Sequence, residues 1–171
     1  MQFNVAHLLK ESVGTSQEET VDATLEPLEE TRTDRVWGQL RLTRVNQGIW
    51  VSGALEATAG CTCSRCLQDV FTSVQFRLDD LYVPSIDIST GVPMPPQEDA
   101  DPVFTIDDHH EVDITEAVRQ SVIVALPMKP LCKEGCAGLC PQCGANLNKE
   151  NCGHQGSRVD PRWLPLLKLA K

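Results

Sequence analysis

The clearest chemical signal in this sequence is a group of cysteines towards its C-terminus. The run Cys140-Pro-Gln-Cys143 is followed, after eight residues, by Cys152 and His154. Thiolates and imidazole bind Zn2+ tetrahedrally, and a CxxC turn brings two sulfur atoms to one ion. Pro141 stiffens this turn, and Gly144 permits the backbone twist that points amides at sulfur. The spacing therefore predicts a structural zinc site.

A second set of four cysteines remains after that assignment. Cys63-Ser-Arg-Cys66 supplies two of them, and Cys132 and Cys136 supply the others. Two complete sets predict two zinc ions per chain. Cys61 lies outside the CxxC spacing and is left over as a small buried residue, although a shifted ligand set that uses Cys61 stays open. The predicted metal ligands are Cys63, Cys66, Cys132, Cys136, Cys140, Cys143, Cys152 and His154.

These assignments have alternatives. A CxxC pair also serves as a redox couple, but redox folds place the pair at a helix N-terminus after a βαβ strand, and neither pair here follows that pattern. The alternative for His154 is a solvent-exposed loop histidine that binds no metal. As a ligand, it completes the set of four with Cys140, Cys143 and Cys152. His109 and His110 lie in a polar turn beside Asp107 and Asp108, where solvated loop residues are expected.

Composition and missing motifs narrow the class of protein. At 171 residues, with 41% hydrophobic and 23% charged residues, the chain has the balance of a globular domain. It has no run long enough for a membrane span and no signal peptide, so a cytoplasmic protein with reduced thiols is expected. GxSxG, HExxH and glycine-rich phosphate motifs are missing. Zinc with four protein ligands leaves no position for water, so a non-enzymatic protein is expected.

Charge is divided unevenly along the chain. Residues 1–126 contain 8 Lys and Arg against 21 Asp and Glu, a balance of −13, whereas residues 127–171 contain 7 against 3, a balance of +4. An acidic body repels phosphate, so RNA binding over the whole surface is not expected. The basic C-terminal lobe is the candidate RNA contact, with ordinary solvated charges as the alternative.

Alternating apolar residues predict an antiparallel sheet. Residues 35–42 and 49–57 alternate on either side of Asn46-Gln-Gly48, whose glycine is expected in the left-handed conformation of a three-residue hairpin turn. Residues 70–78 alternate again, after the connection that carries the first CxxC pair. Phe3–Val5 and Ala6–Lys10 predict a short strand and a short helix, whereas residues 17–30 alternate only weakly.

The second half of the chain predicts one main helix. A proline-rich loop covers residues 84–102, and Val103–Ile106 follows as a further strand. Asp113-Ile-Thr-Glu116 has the form of a capping box that starts the helix. An apolar stripe continues to about Leu126, and Pro127 ends it.

These elements predict an α+β fold: an antiparallel sheet or partial barrel, one main helix and a zinc-stabilised C-terminal lobe. The expected division is a body at residues 1–130, which includes the CxxC turn at 63–66, and a zinc-binding lobe at 131–171 packed on it. Residues 131–154 contain few apolar residues and cannot build a core of their own size, so zinc is expected to fold them.

Several of these motifs together resemble the YceD family, the large ribosomal RNA subunit accumulation proteins. The most specific is the run Gly-Leu-Cys-Pro-x-Cys-Gly-x-Asn-Leu-Asn at residues 138–148. The other stretches that carry the resemblance are Leu8-Leu-Lys10 with Gly14, Cys63-Ser-Arg-Cys-Leu67, Val112-Asp-Ile114, Ala125-Leu-Pro127, Leu131-Cys132 and Asp160-Pro-Arg-Trp163.

The resemblance implies a bacterial or organellar factor that large-subunit (23S) ribosomal RNA needs in order to accumulate. The implied partner is a precursor of the large ribosomal subunit or a ribosomal protein. Two functions from other classes stay open: a thiol–disulfide oxidoreductase that uses a CxxC pair, and a stand-alone zinc-ribbon nucleic-acid binder. Zinc content separates the oxidoreductase from a structural zinc protein. Salt-dependent RNA binding tests the zinc-ribbon nucleic-acid binder.

Overall fold

The chain folds into two compact units. This computed structural model describes residues 1–25, 32–88, 90–94, 104–154 and 162. The first unit, the sheet unit, comprises Met1–Cys61 and Val70–Met128. The second, the cysteine unit, comprises Thr62–Asp69 and Lys129–Lys171, so the CxxC turn at 63–66 clusters with the C-terminal segment. The second half of the predicted proline-rich loop, and the predicted tail beyond His154 apart from residue 162, lie outside the described residues.

Seven strands form one sheet in the described part of the chain. They are β1 (Gln2–Asn4), β2 (Ser16–Ala23), β3 (Arg32–Val45), β4 (Gly48–Thr62), β5 (Asp69–Pro84), β6 (Thr105–Ile106) and β7 (Glu111–Asp113). Their order is β1-β7-β6-β5-β4-β3-β2, and the sheet curls into a half-barrel. β5 and β6 are parallel, whereas β2–β3, β3–β4, β6–β7 and β1–β7 are antiparallel. The predicted sheet or partial barrel is confirmed.

One face of the three long strands carries the core, because side chains alternate along a strand. The buried residues of β3, β4 and β5 include the predicted apolar positions Val36, Leu40, Leu42, Ile49, Val51, Leu55, Ala57, Val74, Phe76 and Leu78. Burial of each larger side chain stabilises the fold by roughly 1.5–3 kcal/mol. The predicted faces of these strands are therefore confirmed.

The turn between β3 and β4 differs from the prediction. Val45 pairs with Gly48, so the loop contains only Asn46 and Gln47, and Gly48 is a strand residue. Gly48 does not have a positive φ, so the expected left-handed glycine is wrong. A Cβ at this position would overlap the carbonyl oxygen of Tyr82 on β5. Glycine is needed here because two backbones approach closely.

Two helices occur in the described residues, α1 (Ala6–Lys10) and α2 (Thr115–Ala125). α1 has the predicted bounds. α2 buries Ala117, Val118 and Val122, which confirms the predicted apolar stripe, and it ends two residues before Pro127. Neither described helix is long and apolar enough to cross a membrane.

The predicted capping box at the start of α2 is wrong. The N-cap residue is Ile114, which makes no side-chain cap hydrogen bond, and Asp113 is the last residue of β7. The Asp113 carboxylate instead accepts a hydrogen bond from the Thr115 backbone N–H at 2.8 Å. Glu116 pairs with Arg119 one turn later instead of reaching back. The Asp113 carboxylate thus binds the first N–H of α2 from the end of β7, without the reciprocal Glu116 bond that a capping box requires.

The structure adds a strand that the alternation at residues 17–30 indicates only weakly. β2 pairs with β3 over eight residues, from Ser16 opposite Thr43 to Ala23 opposite Val36. Only Val21 of β2 is buried. Backbone pairing with a long neighbouring strand, and not an apolar face, defines β2.

The close contact at Gly48 predicts a large effect of one methyl group. Gly48→Ala is expected to lower the free energy of unfolding by about 1–3 kcal/mol, because the Cβ would overlap the Tyr82 carbonyl oxygen. Gly135→Ala is the control, since a Cβ there meets nothing within 4 Å. Urea unfolding of both variants tests this, and equal stability of Gly48→Ala and the native chain would contradict the packing described.

Candidate metal centres

Four cysteines from two distant segments meet in the cysteine unit. Their ligand atoms all lie within 4.8 Å of one another, and together they are named the first cysteine group: Cys63, Cys66, Cys132 and Cys136. The Cys63 and Cys136 sulfur atoms are 3.8 Å apart, and those of Cys66 and Cys132 are 3.6 Å apart. The group thus joins residues separated by more than 60 positions in the sequence.

These separations fit a single tetrahedral ion. A Zn–S bond of about 2.3 Å in tetrahedral geometry places two sulfur atoms about 3.8 Å apart. A disulfide would need about 2.05 Å. The cysteines are free, and their sulfur atoms have the separations that a four-coordinate thiolate site requires. The first cysteine group could therefore hold one metal ion.

Local hydrogen bonds fix the two segments of the first group to each other. The Ser64 backbone N–H donates to the carbonyl oxygen of Pro130 at 2.8 Å. The Arg65 guanidinium donates to the backbone carbonyl of Cys136 at 2.9 Å. The Cys132 N–H points at the Cys63 sulfur at 3.4 Å. The turn at 63–66 therefore presents its two thiols to the segment at 130–136 in a defined orientation.

Backbone N–H groups favour the thiolate form at Cys63. The Cys66 N–H is the largest influence and, with the N–H groups of Arg65 and Cys132, it lowers the pKa of the Cys63 thiol to about 6, against the opposing effect of burial. The pKa of Cys132 rises to about 12, chiefly because the Cys136 sulfur lies beside it. A thiolate at one cysteine thus makes deprotonation of its neighbours less favourable, and a bound cation would offset that repulsion.

The second cysteine group is Cys140, Cys143, Cys152 and His154, whose ligand atoms also lie within 4.8 Å of one another. The Cys140 sulfur is 4.0 Å from Nδ1 of His154. The Cys143 and Gln142 N–H groups lower the pKa of the Cys140 thiol to about 6. A hydrogen bond from the Gly144 N–H to the Cys140 carbonyl oxygen closes the turn that carries Cys140 and Cys143. Gly144 has a positive φ of 74° in this turn.

The two groups differ in their access to solvent. Cys63, Cys66 and Cys136 of the first group are buried, whereas Cys132 is exposed. In the second group only Cys140 is buried; Cys143 and His154 are exposed and Cys152 is half-buried. A metal in the second group would therefore meet water and competing ligands more readily than one in the first.

The cysteines also take the place of a core in the cysteine unit. Among its described residues, the buried hydrophobic side chains are Cys63, Cys66, Cys136 and Cys140, with no buried aliphatic or aromatic residue. The hydrophobic core cluster consists entirely of residues from the sheet unit. The described part of the cysteine unit therefore lacks the apolar burial that normally stabilises a folded domain.

The structure brings all eight predicted ligands together in the two predicted sets. Cys61 is half-buried and belongs to neither set. His109 is exposed as expected, whereas His110 is only half-exposed, with a buried Nδ1 that lacks a hydrogen-bond partner. Asn148, whose amide donates to the Cys136 sulfur, was not predicted to have a role. No spacing rule identifies such a residue, because an amide that contacts sulfur is not itself a ligand.

Comparison with known proteins bears directly on these two groups. Residues 51–170 match the family model described as large ribosomal RNA subunit accumulation protein YceD. The chain belongs to the YceD family. The match covers both cysteine groups, and it confirms the resemblance seen in the sequence.

The relatives of this YceD chain include mycobacterial proteins and a chloroplastic plant protein. An uncharacterized protein of Mycobacterium tuberculosis is 33% identical over 133 residues, which are 76% of this chain and 59% of that protein. One of Mycobacterium leprae is 33% identical over 139 residues, with the same two shares. The chloroplastic large ribosomal RNA subunit accumulation protein YCED homolog 1 of Arabidopsis thaliana is 36% identical over 56 residues, 33% of this chain and 17% of that protein.

This YceD chain thus spans 59% of the length of the mycobacterial relatives. No solved structure matches it.

Two separate groups predict separable metal binding. We expect two divalent ions per chain, with Cys136→Ser and Cys143→Ser each retaining one, because each substitution removes a thiolate from a different group. Cys61→Ser is the matched control and is expected to retain both. Native mass spectrometry and elemental analysis measure the number. Loss of an ion in Cys61→Ser, or loss of both ions in each single variant, would contradict the partition.

Proposed function

We propose that this YceD-family chain is a non-enzymatic zinc-binding factor in ribosome biogenesis that supports the accumulation of large-subunit (23S) ribosomal RNA. The observation that carries the proposal is the family match over residues 51–170, a segment that contains all eight candidate ligands. The named chloroplastic relative is itself called a large ribosomal RNA subunit accumulation protein. Cytoplasmic action on a precursor of the large subunit is part of the proposal.

The donor atoms support zinc as the metal. Soft thiolate ligands in a tetrahedral arrangement select zinc or iron–sulfur centres over hard cations such as Mg2+. Sulfur separations of 3.6 and 3.8 Å in the first group suit a single ion, since a cluster sets its thiolates around several iron atoms. The histidine of the second group is a common zinc ligand beside three cysteines.

Two features support a structural role for the metal rather than catalysis. Each group offers four protein ligands, so a bound zinc ion would have no open position for water or substrate. An open hollow of about 400 Å3 on the sheet unit is lined by Trp37, Glu56, Gln75 and Arg77 among others. Glu56 accepts a hydrogen bond from Gln75 there, and the lining contains no nucleophile paired with a base.

The lowered thiol pKa of Cys63 also matches a redox cysteine, and it favours an oxidoreductase as the second candidate function. Two observations argue against an oxidoreductase. The Cys63 side chain is 0% exposed, so a thiol substrate cannot reach its sulfur atom. Cys63 also follows strand β4 and does not lie at a helix N-terminus, where redox cysteines are found. Two of the N–H groups that lower its pKa, those of Cys66 and Arg65, belong to the CxxC turn, and the third belongs to Cys132 of the same four-cysteine group. A chelating turn accounts for both observations.

Charge supports contact through the cysteine unit. Lys129, Lys133 and Lys149 are exposed, within the segment 127–171 that carries a balance of +4. The residues up to 126 carry −13 and would repel phosphate. We therefore propose that the basic segment contacts ribosomal RNA or its precursor particle, while the acidic body suits solvent or a basic ribosomal protein.

Loss of either metal site is expected to remove the function in cells. In a bacterium that lacks the native gene, chains with Cys136→Ser or Cys143→Ser should leave large-subunit RNA at the level of the deletion strain. Cys61→Ser should restore it, because Cys61 belongs to neither group. The measurement is the ratio of large- to small-subunit ribosomal RNA, with immunoblots to show equal amounts of chain. Full restoration by a chain shown to hold no metal would overturn the role of zinc.

A further inference from the structure

A short strand-like contact connects the two cysteine groups. Cys136 is the last ligand of the first group, and Cys140 is the first ligand of the second. The chain after the second CxxC turn folds back, so that Leu139 bridges Asn146. The Cys140 N–H donates to Ala145 at 2.8 Å, and the Leu147 N–H donates to Gly138 at 2.9 Å. Residues 145–148 therefore lie beside the segment that separates the groups.

Asn148 reaches from this returning segment to the first group. Its Nδ2 donates to the Cys136 sulfur at 3.2 Å and to Oδ1 of Asn146 at 3.0 Å. Its own Oδ1 accepts the Ala137 backbone N–H at 2.9 Å. Only the carbonyl oxygen of an amide can accept that N–H, so the NH2 group must face the sulfur. The orientation of the amide is thus determined by its neighbours.

The contact with sulfur is one that water cannot replace. Cys136 is only 2% exposed. Four thiolates around a dication leave a net charge of −2, which N–H donors must disperse where solvent is excluded. Asn148 is therefore placed to stabilise a metal-bound Cys136.

We propose that Asn148 couples the two metal sites. Metal in the second group holds the segment from Cys140 to Asn148 in the fold that presents the Asn148 amide to Cys136. Loss of that metal releases the amide and weakens metal binding at the first group. This inference rests on the proposed function, because it assumes that both groups bind metal. By linkage the effect is reciprocal, so metal in either group strengthens metal binding at the other.

The rate of metal release from the first group tests the coupling. In the metal-loaded full chain, exchange against an excess of isotopically labelled zinc keeps both groups occupied. Followed by mass spectrometry, the exchange should give a fast and a slow phase, and Cys136→Ser should remove the slow one. Asn148→Ala should accelerate the slow phase about 10-fold, the usual effect of losing a residue that orients a ligand. Cys143→Ser should accelerate it as well. The double variant should be no faster than the faster single variant, since both act through one contact.

Asn148→Asp separates contact with the thiolate from a merely structural role. It keeps an oxygen for the Ala137 N–H but places a carboxylate against the Cys136 sulfur. The slow phase should therefore be faster in Asn148→Asp than in Asn148→Ala; a packing role predicts the reverse. With Co2+ in the first group, Asn148→Ala should also move the thiolate-to-cobalt charge-transfer band to lower energy. Lys149→Ala, which changes an exposed neighbouring side chain, is the control and should alter neither readout.

The outcomes distinguish the coupling from the function on which it rests. Two ions per native chain with an unchanged slow phase in Cys143→Ser, or additive effects in the double variant, would overturn the coupling alone. A native chain that binds no metal would overturn both. If a variant loses the first ion during purification, the zinc affinity of its first group is measured by titration with zinc, and an affinity equal to that of the first group in the native chain contradicts the proposal.

Discussion

Repulsion among closely spaced thiolates is the constraint on which the cysteine unit depends. The first cysteine group places sulfur atoms 3.6 and 3.8 Å apart where three of its four side chains are buried. Negative charges at such distances repel strongly in a poorly solvated site, so the group must hold protons or a cation. The N–H groups that favour thiolate at Cys63 make a cation the better solution. Because no aliphatic or aromatic residue is buried in the described part of this unit, the same cation would also supply its folding energy.

The sequence predicts features that depend on period or spacing. Apolar alternation identified the buried faces of the three long strands. CxxC spacing, together with assignment of the remaining cysteines to a second set, grouped the eight ligands as the structure does. Features set by distant backbone contacts could not be seen in this way. Gly48 is required by the Tyr82 carbonyl on β5, and pairing of Asp113 with β1 extends β7 so that Ile114, not Asp113, is the N-cap of α2. Asn148 was missed for the same reason, since its contact with Cys136 depends on a chain reversal.

The division of charge and metal between the two units suggests how a YceD chain would act. The sheet unit has a conventional hydrophobic core and most of the acidic residues. Both candidate metal groups and the exposed lysines Lys129, Lys133 and Lys149 lie in the cysteine unit. In the proposed function, zinc would maintain the shape of the unit that carries the proposed contact with ribosomal RNA or its precursor particle.

X-ray absorption at the zinc edge of the purified chain tests the central claim most directly. The account predicts a zinc signal whose first shell is dominated by sulfur at about 2.3 Å, with a minor nitrogen contribution from the single histidine of the second group. That ratio reflects seven cysteines and one histidine around two ions. A chain purified with no zinc, or zinc surrounded mainly by oxygen and nitrogen, would contradict the account.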